Sequence, residues 1–420
     1  MQHNTELNIG LFGFGVVGEG IYQVLKGTPS LQASIKKVCI KHPDKKRDAP
    51  AELFTTNYDE LIHDPEINLI VELIDDAVEA YKIVTTAFRA GKSVVSANKK
   101  MIAEHLPELI ELQHQHNVSF LYEAAVCGSI PIIRNLEEYF DNDLLQNIYG
   151  IVNGSTNYIL TKMDAGLNYS AALQEAKQKG FAESNPALDV EGWDATNKLT
   201  ILLAHAHGIK TPPSAVLRQG ITRLHEGDAA YAKEKGLKIK LVAQASKLSS
   251  GKVAAFVLPQ FVTSDSQLFT VSNEYNGVIV ETKLADKQFF YGKGAGRYPT
   301  SSAVISDISA FSYEYRYEYK KLKRNETAAL TYAFYLHVFV SFPEWATVNK
   351  WDFEEVTEYH STPGRQYLKG LISAEKLRAA DWFHNESVSV IVQPEGIVEK
   401  EALVHKSIKK VSLQLAGVGL

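Results

Sequence analysis

The apolar run at 7–12 leads straight into a glycine-rich turn, and residues 19–26 then set Ile21, Val24 and Leu25 at helical spacing, so the chain opens as strand, turn, helix. A β-rich run at 35–40 ends in charged residues. The continuous apolar stretch 69–74 predicts a buried strand, 78–90 a helix, and Gly91-Lys92 the end of that helix. Residues 93–96 repeat the buried-strand pattern, 101–115 return to helical spacing, and 118–122 close the series with another strand. Strands alternating with helices over about 125 residues predict a doubly wound parallel sheet.

Past Pro131 the pattern changes. Residues 132–140 read as helix, 147–152 as strand and 158–180 as two further helical stretches. The β-rich segments 252–258, 268–271 and 277–281 predict a mixed or antiparallel sheet with helices on one side. After residue 325, candidate strands at 335–342, 367–373, 387–393 and 409–415 surround a helix at 374–382. The expected fold class is α/β: an N-terminal Rossmann-type sheet in 1–130, an α+β domain in 131–325 and a small C-terminal α+β unit in 326–420. At 420 residues the chain exceeds the size at which one core keeps growing, which agrees with several domains.

Charge and cysteine content narrow the partners. A net charge of −5 offers no general polyanion-binding surface, so nucleic acid is not an expected partner. Cys39 and Cys127 lie far apart and neither belongs to a paired metal-ligand spacing, which argues against a disulfide scaffold and zinc and for a reducing compartment. The first residues carry no basic n-region, and no apolar run is long enough for a transmembrane helix, so a cytoplasmic protein without a membrane partner is expected.

The turn after the first strand reads Gly13, Phe14, Gly15, Val16, Val17, Gly18. Gly13 suits the tight turn, Gly15 the close approach of a pyrophosphate and Gly18 the packing of helix on strand, while the helix N-terminus offers free N–H donors to the anion. Such a triplet points to a dinucleotide only in this strand–helix setting. An NAD-type cofactor usually meets a carboxylate at the end of the second strand. Here that strand leads into Lys41, and Lys45, Lys46 and Arg47 follow. They favour a 2′-phosphate and hence NADP, with NAD as the alternative: the cluster also reads as a solvated basic loop, and Asp44 is placed to reach a ribose hydroxyl.

The most informative stretch is KGFAESNPALDVEGWDATNK at 179–198. Asp194 and Lys198 share one helix face, which by itself describes an exposed ion pair worth roughly a few tenths of a kcal/mol. Glu183, Asp189, Glu191 and Asp194 gather on a Pro- and Gly-punctuated loop that leads to Lys198. A cationic substrate amine would find carboxylates there, and the lysine could pass a proton to a carbonyl oxygen as hydride arrives. His205 and His207 follow two residues apart, on different faces, which does not make a metal pair.

This block resembles the homoserine dehydrogenase family, and further segments resemble it in the same order: GFGVVGEG at 13–20, SANKK at 96–100, EAAVCGSIPII at 123–133, GIVNGSTNYIL at 150–160 and YGKGAGRYPTSSAV at 291–304. The resemblance implies NAD(P)H-dependent reduction of L-aspartate 4-semialdehyde to L-homoserine, on the route to threonine and methionine. It implies Lys198 as proton donor, with Lys99 and Asp194 sharing the catalytic site, and Gly180, Glu183, Asp189 and Asp194 holding the substrate. Gly13, Phe14, Gly15, Val16, Val17, Gly18, Lys41, Lys99 and Gly296 would contact the cofactor, although Gly292, Gly294 and Gly296 also read as a sharp strand-to-helix turn. Glu123 and the carbonyls of Val126, Gly128 and Ile130 resemble a sodium or potassium site, where the residue types alone describe a structural junction. Cys127 reads as a small buried residue rather than a nucleophile. The middle domain is implied to be catalytic and dimer-forming, its last helix at about 300–320 returning to the Rossmann domain, in a homodimer or higher homo-oligomer.

Two features depart from the family. The loop after 69–74 carries Asp75-Asp76 where two glycines are usual, and carboxylates there would repel a diphosphate. Beyond residue 325 the resemblance fades: Pro343-Glu344-Trp345 follows the strand 337–342 without the glycine of the usual regulatory module, which reads as a diverged one with no threonine control implied. No kinase-length segment precedes the glycine turn, so the resemblance is to the monofunctional form. Two rival readings are a catalytically inactive NADP-binding sensor and another Rossmann reductase such as aspartate semialdehyde dehydrogenase, whose cysteine nucleophile needs a base that Cys127 lacks.

Overall fold

The computed structural model describes residues 6–142, 144–324, 328–362 and 364–400. The expected strand at 409–415 lies outside them. Six parallel strands form the first sheet: β1 (Leu7–Phe12), β2 (Ala33–Cys39), β3 (Phe54–Thr55), β4 (Leu69–Glu72), β5 (Ser93–Ser96) and β6 (Phe120–Leu121), in the order β3-β2-β1-β4-β5-β6. This is the order of a doubly wound dinucleotide-binding sheet, with its crevice where the winding reverses beside β1. β4 and β5 are buried on both faces, which is why they read as unbroken apolar runs.

Among the described residues the second sheet has ten strands: β7 (Leu145–Ile151), β8 (Leu217–Arg218), β9 (Lys238–Lys247), β10 (Val253–Val262), β11 (Tyr275–Thr282), β12 (Asp286–Lys293), β13 (Tyr335–Phe342), β14 (Phe353–Thr362), β15 (Arg365–Ser373) and β16 (Ser389–Val398). Their order is β12-β11-β7-β9-β10-β16-β13-β15-β14, with β8 on β10. It is a mixed sheet: β10 meets β8 and β16 in parallel, and the other pairs are antiparallel. The C-terminal strands therefore extend the sheet of the middle region through the Gln260–Val392 bridge, and they share a second core with it, in which Phe334, Val338, Trp382 and Val390 cluster with Leu217, Phe256 and Leu258.

Some elements differ from the pattern reading. The segment at 268–271 is a short 3-10 turn, Gln267–Thr270, because the Ser266 hydroxyl caps it by accepting from the Leu268 N–H. β9 was hidden by its lysines: Lys240 is fully inside, its ammonium donating to Asn157 Oδ1 at 3.1 Å and to the Val271 carbonyl at 2.6 Å. β12 and β14 carry too many exposed polar residues to show an apolar run.

Two helix contacts tie the sheets together. Helix Arg297–Phe311 crosses helix Val16–Gly27 at Gly20, where an added Cβ would stand 2.6 Å from Ser301 Oγ, and Arg297 pairs with Glu19 at 2.7 Å. Helix Lys99–Gln115 packs on helix Trp193–His207. Every residue from Asp194 to His207 is buried, so the Asp194–Lys198 pair is not the exposed ion pair that spacing alone describes. No helix among the described residues is long and apolar enough to cross a membrane.

Candidate active site

The glycine turn is shaped by two close approaches. Gly13 has φ +92° and an added Cβ would meet the Leu73 carbonyl at 2.9 Å, while one on Gly18 would strike the carbonyl of Gly13. A Cβ on Gly15 would meet nothing within 4 Å, so the turn leaves open space in front of the N-terminus of helix Val16–Gly27. A cleft of about 610 Å³ opens there, lined by Phe14, Gly15, Val16, Lys45, Lys46, Arg47 and Arg297 among others. These residues fit a dinucleotide with a charged ribose end. Arg47 knits the basic loop by donating to the carbonyls of His42 and Lys45, at 2.7 and 2.6 Å. Lys41 is exposed and does not line the cleft, and Gly296, with φ +122°, precedes the helix that carries Arg297.

Beside this cleft, the ends of β4 and β5 are joined by Glu72. Its carboxylate accepts from the Ile74 N–H at 2.7 Å and from Ser96 Oγ at 2.5 Å, and burial pushes its pKa up to about 7. Asp76 is spent as a helix cap, accepting from the N–H groups of Val78 and Glu79 at 3.0 and 3.1 Å. Asp75 is exposed, and its charge helps to raise the pKa of Lys99, for which Asp194 is the main cause.

Lys99, first residue of its helix, reaches across to the middle domain. Its Nζ lies 3.1 Å from Asp194 Oδ1, while Lys198 Nζ lies 2.7 Å from Asp194 Oδ2. Lys198 also donates to the Val152 carbonyl at 2.7 Å. Burial pushes the Asp194 carboxyl up, but Lys198, Lys99 and the Asn153 amide together outweigh it and hold the group well below the usual carboxylate range. Lys99 keeps 44% of its side chain open to solvent, whereas Lys198 keeps 9%. One lysine therefore faces solvent and the other stands deep in the site.

Asp189 is linked to this row by Asn153, whose Nδ2 donates to Asp189 Oδ1 at 2.7 Å and to Asp194 Oδ2 at 2.8 Å. Burial, then the charge of Asp194, raises the Asp189 pKa. Glu183 is exposed and makes no hydrogen bond or ion pair among the described residues, and Gly180, with φ +75°, ends the helix before it. Lys99, Asp189, Asp194 and Lys198 thus meet in one place, with Glu183 on the loop that leads to it. Asn153 and Val152 were missed as individual contributors, although an Asn before a helical Gly-Ser-Thr run is a capping signal.

Below the row, the Glu123 carboxylate accepts from the N–H groups of Ile133 and Arg134 at 2.8 and 2.9 Å, and Asp307 accepts from the Glu123 N–H at 2.8 Å. Arg134 pairs with Asp307 at 2.7 Å. Burial and the neighbouring Asp307 push the Glu123 carboxyl up to about 8. Ile130 O accepts from the Ile132 N–H, whereas the carbonyls of Val126 and Gly128 accept no hydrogen bond among the described residues. Between them Cys127 takes φ 59°, an uncommon value for a non-glycine residue, and burial pushes its thiol up to about 12, the opposite of an activated nucleophile. His205 is held between Glu137 and Tyr122, and no cluster of metal-ligating side chains occurs among the described residues.

Known proteins resemble this chain in sequence and fold. The family model described as homoserine dehydrogenase, NAD binding domain, matches residues 13–123, and the one described as homoserine dehydrogenase matches 131–309. A homoserine dehydrogenase of Synechocystis is 38% identical over 313 residues, covering 72% of each chain. That of Bacillus subtilis is 35% identical over 317 residues, again 72% of each. The crystal structure of a homoserine dehydrogenase from Thiobacillus denitrificans superposes with a TM-score of 0.81 at 27% identity, over 92% of this chain and 98% of that one. A hyperthermophilic archaeal homoserine dehydrogenase mutant in complex with NADPH gives a TM-score of 0.64 at 28% identity, over 75% of this chain and all of that one. Two family models in sequence order, relatives aligned along most of their length and a fold shared almost from end to end lead to one conclusion: the chain belongs to the homoserine dehydrogenase family.

Proposed function

We infer that the chain interconverts L-aspartate 4-semialdehyde and L-homoserine with a nicotinamide cofactor, and we propose NADP(H) as the preferred form. The single observation that carries the mechanism is the row Lys99–Asp194–Lys198, at 3.1 and 2.7 Å, in which Asp194 and Lys198 are buried and Lys99 stands half-exposed. The cofactor, when bound, supplies the hydride. Lys198 donates the proton: of its three N–H donors one goes to Val152 O and one to Asp194, which leaves the third for the substrate oxygen as it becomes an alkoxide. Asp194 holds both lysines in position. Asp189 and the unpaired Glu183 attract the substrate ammonium, and Gly180 gives the loop its turn. Nothing observed favours an inactive sensor, which has no need of a buried proton donor. Loss of NADPH absorbance with aspartate semialdehyde tests the activity, and no turnover would sink it.

Cofactor preference rests on Lys45, Lys46, Arg47 and Arg297 around the cleft, where a 2′-phosphate dianion would be attracted. The wild type is expected to give a higher kcat/KM with NADPH than with NADH. The pair Lys45→Glu and Lys46→Glu should cut that ratio by about 10- to 100-fold, the worth of one or two charge-assisted hydrogen bonds. An unchanged ratio would overturn the assignment.

The chemistry at Glu123 fits a monovalent cation. Two buried carboxylates, Glu123 and Asp307, face one guanidinium, and the carbonyls of Val126 and Gly128 accept no hydrogen bond among the described residues, so a hard cation would balance the charge and use those oxygens. Turnover in tetramethylammonium buffer is expected to rise several-fold on adding sodium or potassium. A flat response would argue for a purely structural junction.

A further inference from the structure

Asn153 follows β7 and caps helix Gly154–Asp164: its Oδ1 accepts from the Thr156 N–H at 2.8 Å and from Thr156 Oγ1 at 3.0 Å. Asparagine, aspartate, serine and threonine all serve this position well, so capping alone does not select the residue. What the other three lack is a second pair of donors. Both Nδ2 protons of Asn153 are used, one on Asp189 Oδ1 and one on Asp194 Oδ2, at 2.7 and 2.8 Å, and the residue is 5% exposed. The amide orientation follows from these partners, because the reverse would set its carbonyl against two carboxylates and its NH2 against an N–H. The preceding carbonyl, Val152 O, receives Lys198. Two consecutive residues therefore hold the acid and the base of the row by separate contacts.

Two acids so close repel each other, and an amide that donates to both at once lets them share the site without either leaving. We propose that Asn153 is a positioning residue for the proton-donating step, fixing Asp194 between Lys99 and Lys198 and holding Asp189 beside it. This rests on the proposed activity. Without the amide, Asp194 and Asp189 move apart, Lys198 loses its fixed direction and the chemical step slows, while the cleft at the glycine turn, which Asn153 does not line, is left intact.

Asn153→Asp is the sharpest test, because aspartate caps a helix as well as asparagine but brings a third carboxylate to Asp189 and Asp194. The expected result is a fall in kcat of about 100-fold, the scale of a small misplacement in an active site. The affinity for NADPH should be unchanged and the acid limb of the kcat–pH profile moved to higher pH. Asn153→Ser, which keeps a capping oxygen and lacks the amide, should lose kcat likewise and serves if the aspartate variant does not fold by circular dichroism. If wild type turns over and a folded variant keeps its kcat and pH profile, Asn153 is only a cap and the inference falls. If wild type itself does not turn over, the proposed activity falls first.

Discussion

Replacing Lys198 by alanine is expected to lower kcat by about 10²–10⁴-fold, the usual contribution of a positioned general acid. The protein should still fold. Asp194 keeps Lys99 at 3.1 Å and the Asn153 amide at 2.8 Å, so removing Lys198 does not leave its carboxylate bare, and the Val152 carbonyl is left for water. Lys198→Arg separates proton donation from charge: the guanidinium stays positive but does not give up a proton near neutrality, so it should be nearly as slow as the alanine variant. Steady-state kinetics with NADPH and aspartate semialdehyde decide this. Turnover undiminished in the alanine variant would move the proton donor elsewhere, with Lys99 the next residue to replace.

Asp194→Asn should affect both stability and rate. Breaking a buried pair by neutralising one partner leaves the other charge uncompensated, which typically costs about 3–5 kcal/mol. Here the stranded charge is Lys198, only 9% exposed. Lys99, at 44%, can turn to solvent and adds little. The cost should depend on pH. Because the folded pKa of Asp194 is depressed, its contribution is complete above the ordinary aspartate value of 3.8 and is lost as pH falls through the folded pKa. Wild type and variant should therefore differ most at neutral pH and converge in acid. Urea unfolding at several pH values would show it, and a gap that stays constant into acid would mean that the ionised carboxylate is not what stabilises the fold. Turnover should fall with it, since Lys198 would have lost its fixed direction.

Asp75-Asp76 shows how far local reading reaches. As a pair of charges they predict repulsion of a diphosphate, yet Asp76 has turned its carboxylate back onto two helix N–H groups. A capping role is visible in a sequence only when the helix start is placed to the residue, and the pattern reading began that helix at 78 instead of 77. Lys198 was legible for a different reason. Helix pitch alone sets a residue beside the one four positions earlier, so the spacing of Asp194 and Lys198 already made them neighbours. The same spacing implied an exposed pair, because one face of a helix says nothing about what covers it.

The β1–glycine–helix unit, the alternation of strands and helices and the Asp194–Lys198 pairing all arise from short-range geometry: two-residue pleats, helical turns and glycine conformations that a few neighbouring residues dictate. These were present in the chain before any packing. The meeting of Lys99 with Asp194, the two hydrogen bonds that Asn153 donates to Asp189 and Asp194, and the joining of the C-terminal strands through β16 and β10 depend on segments far apart in sequence. No local preference encodes them. They follow from sheet order and helix packing, which bring the start of one helix, the end of one strand and the first turn of another helix to a single point around the buried Asp194, where each charge must find its partner.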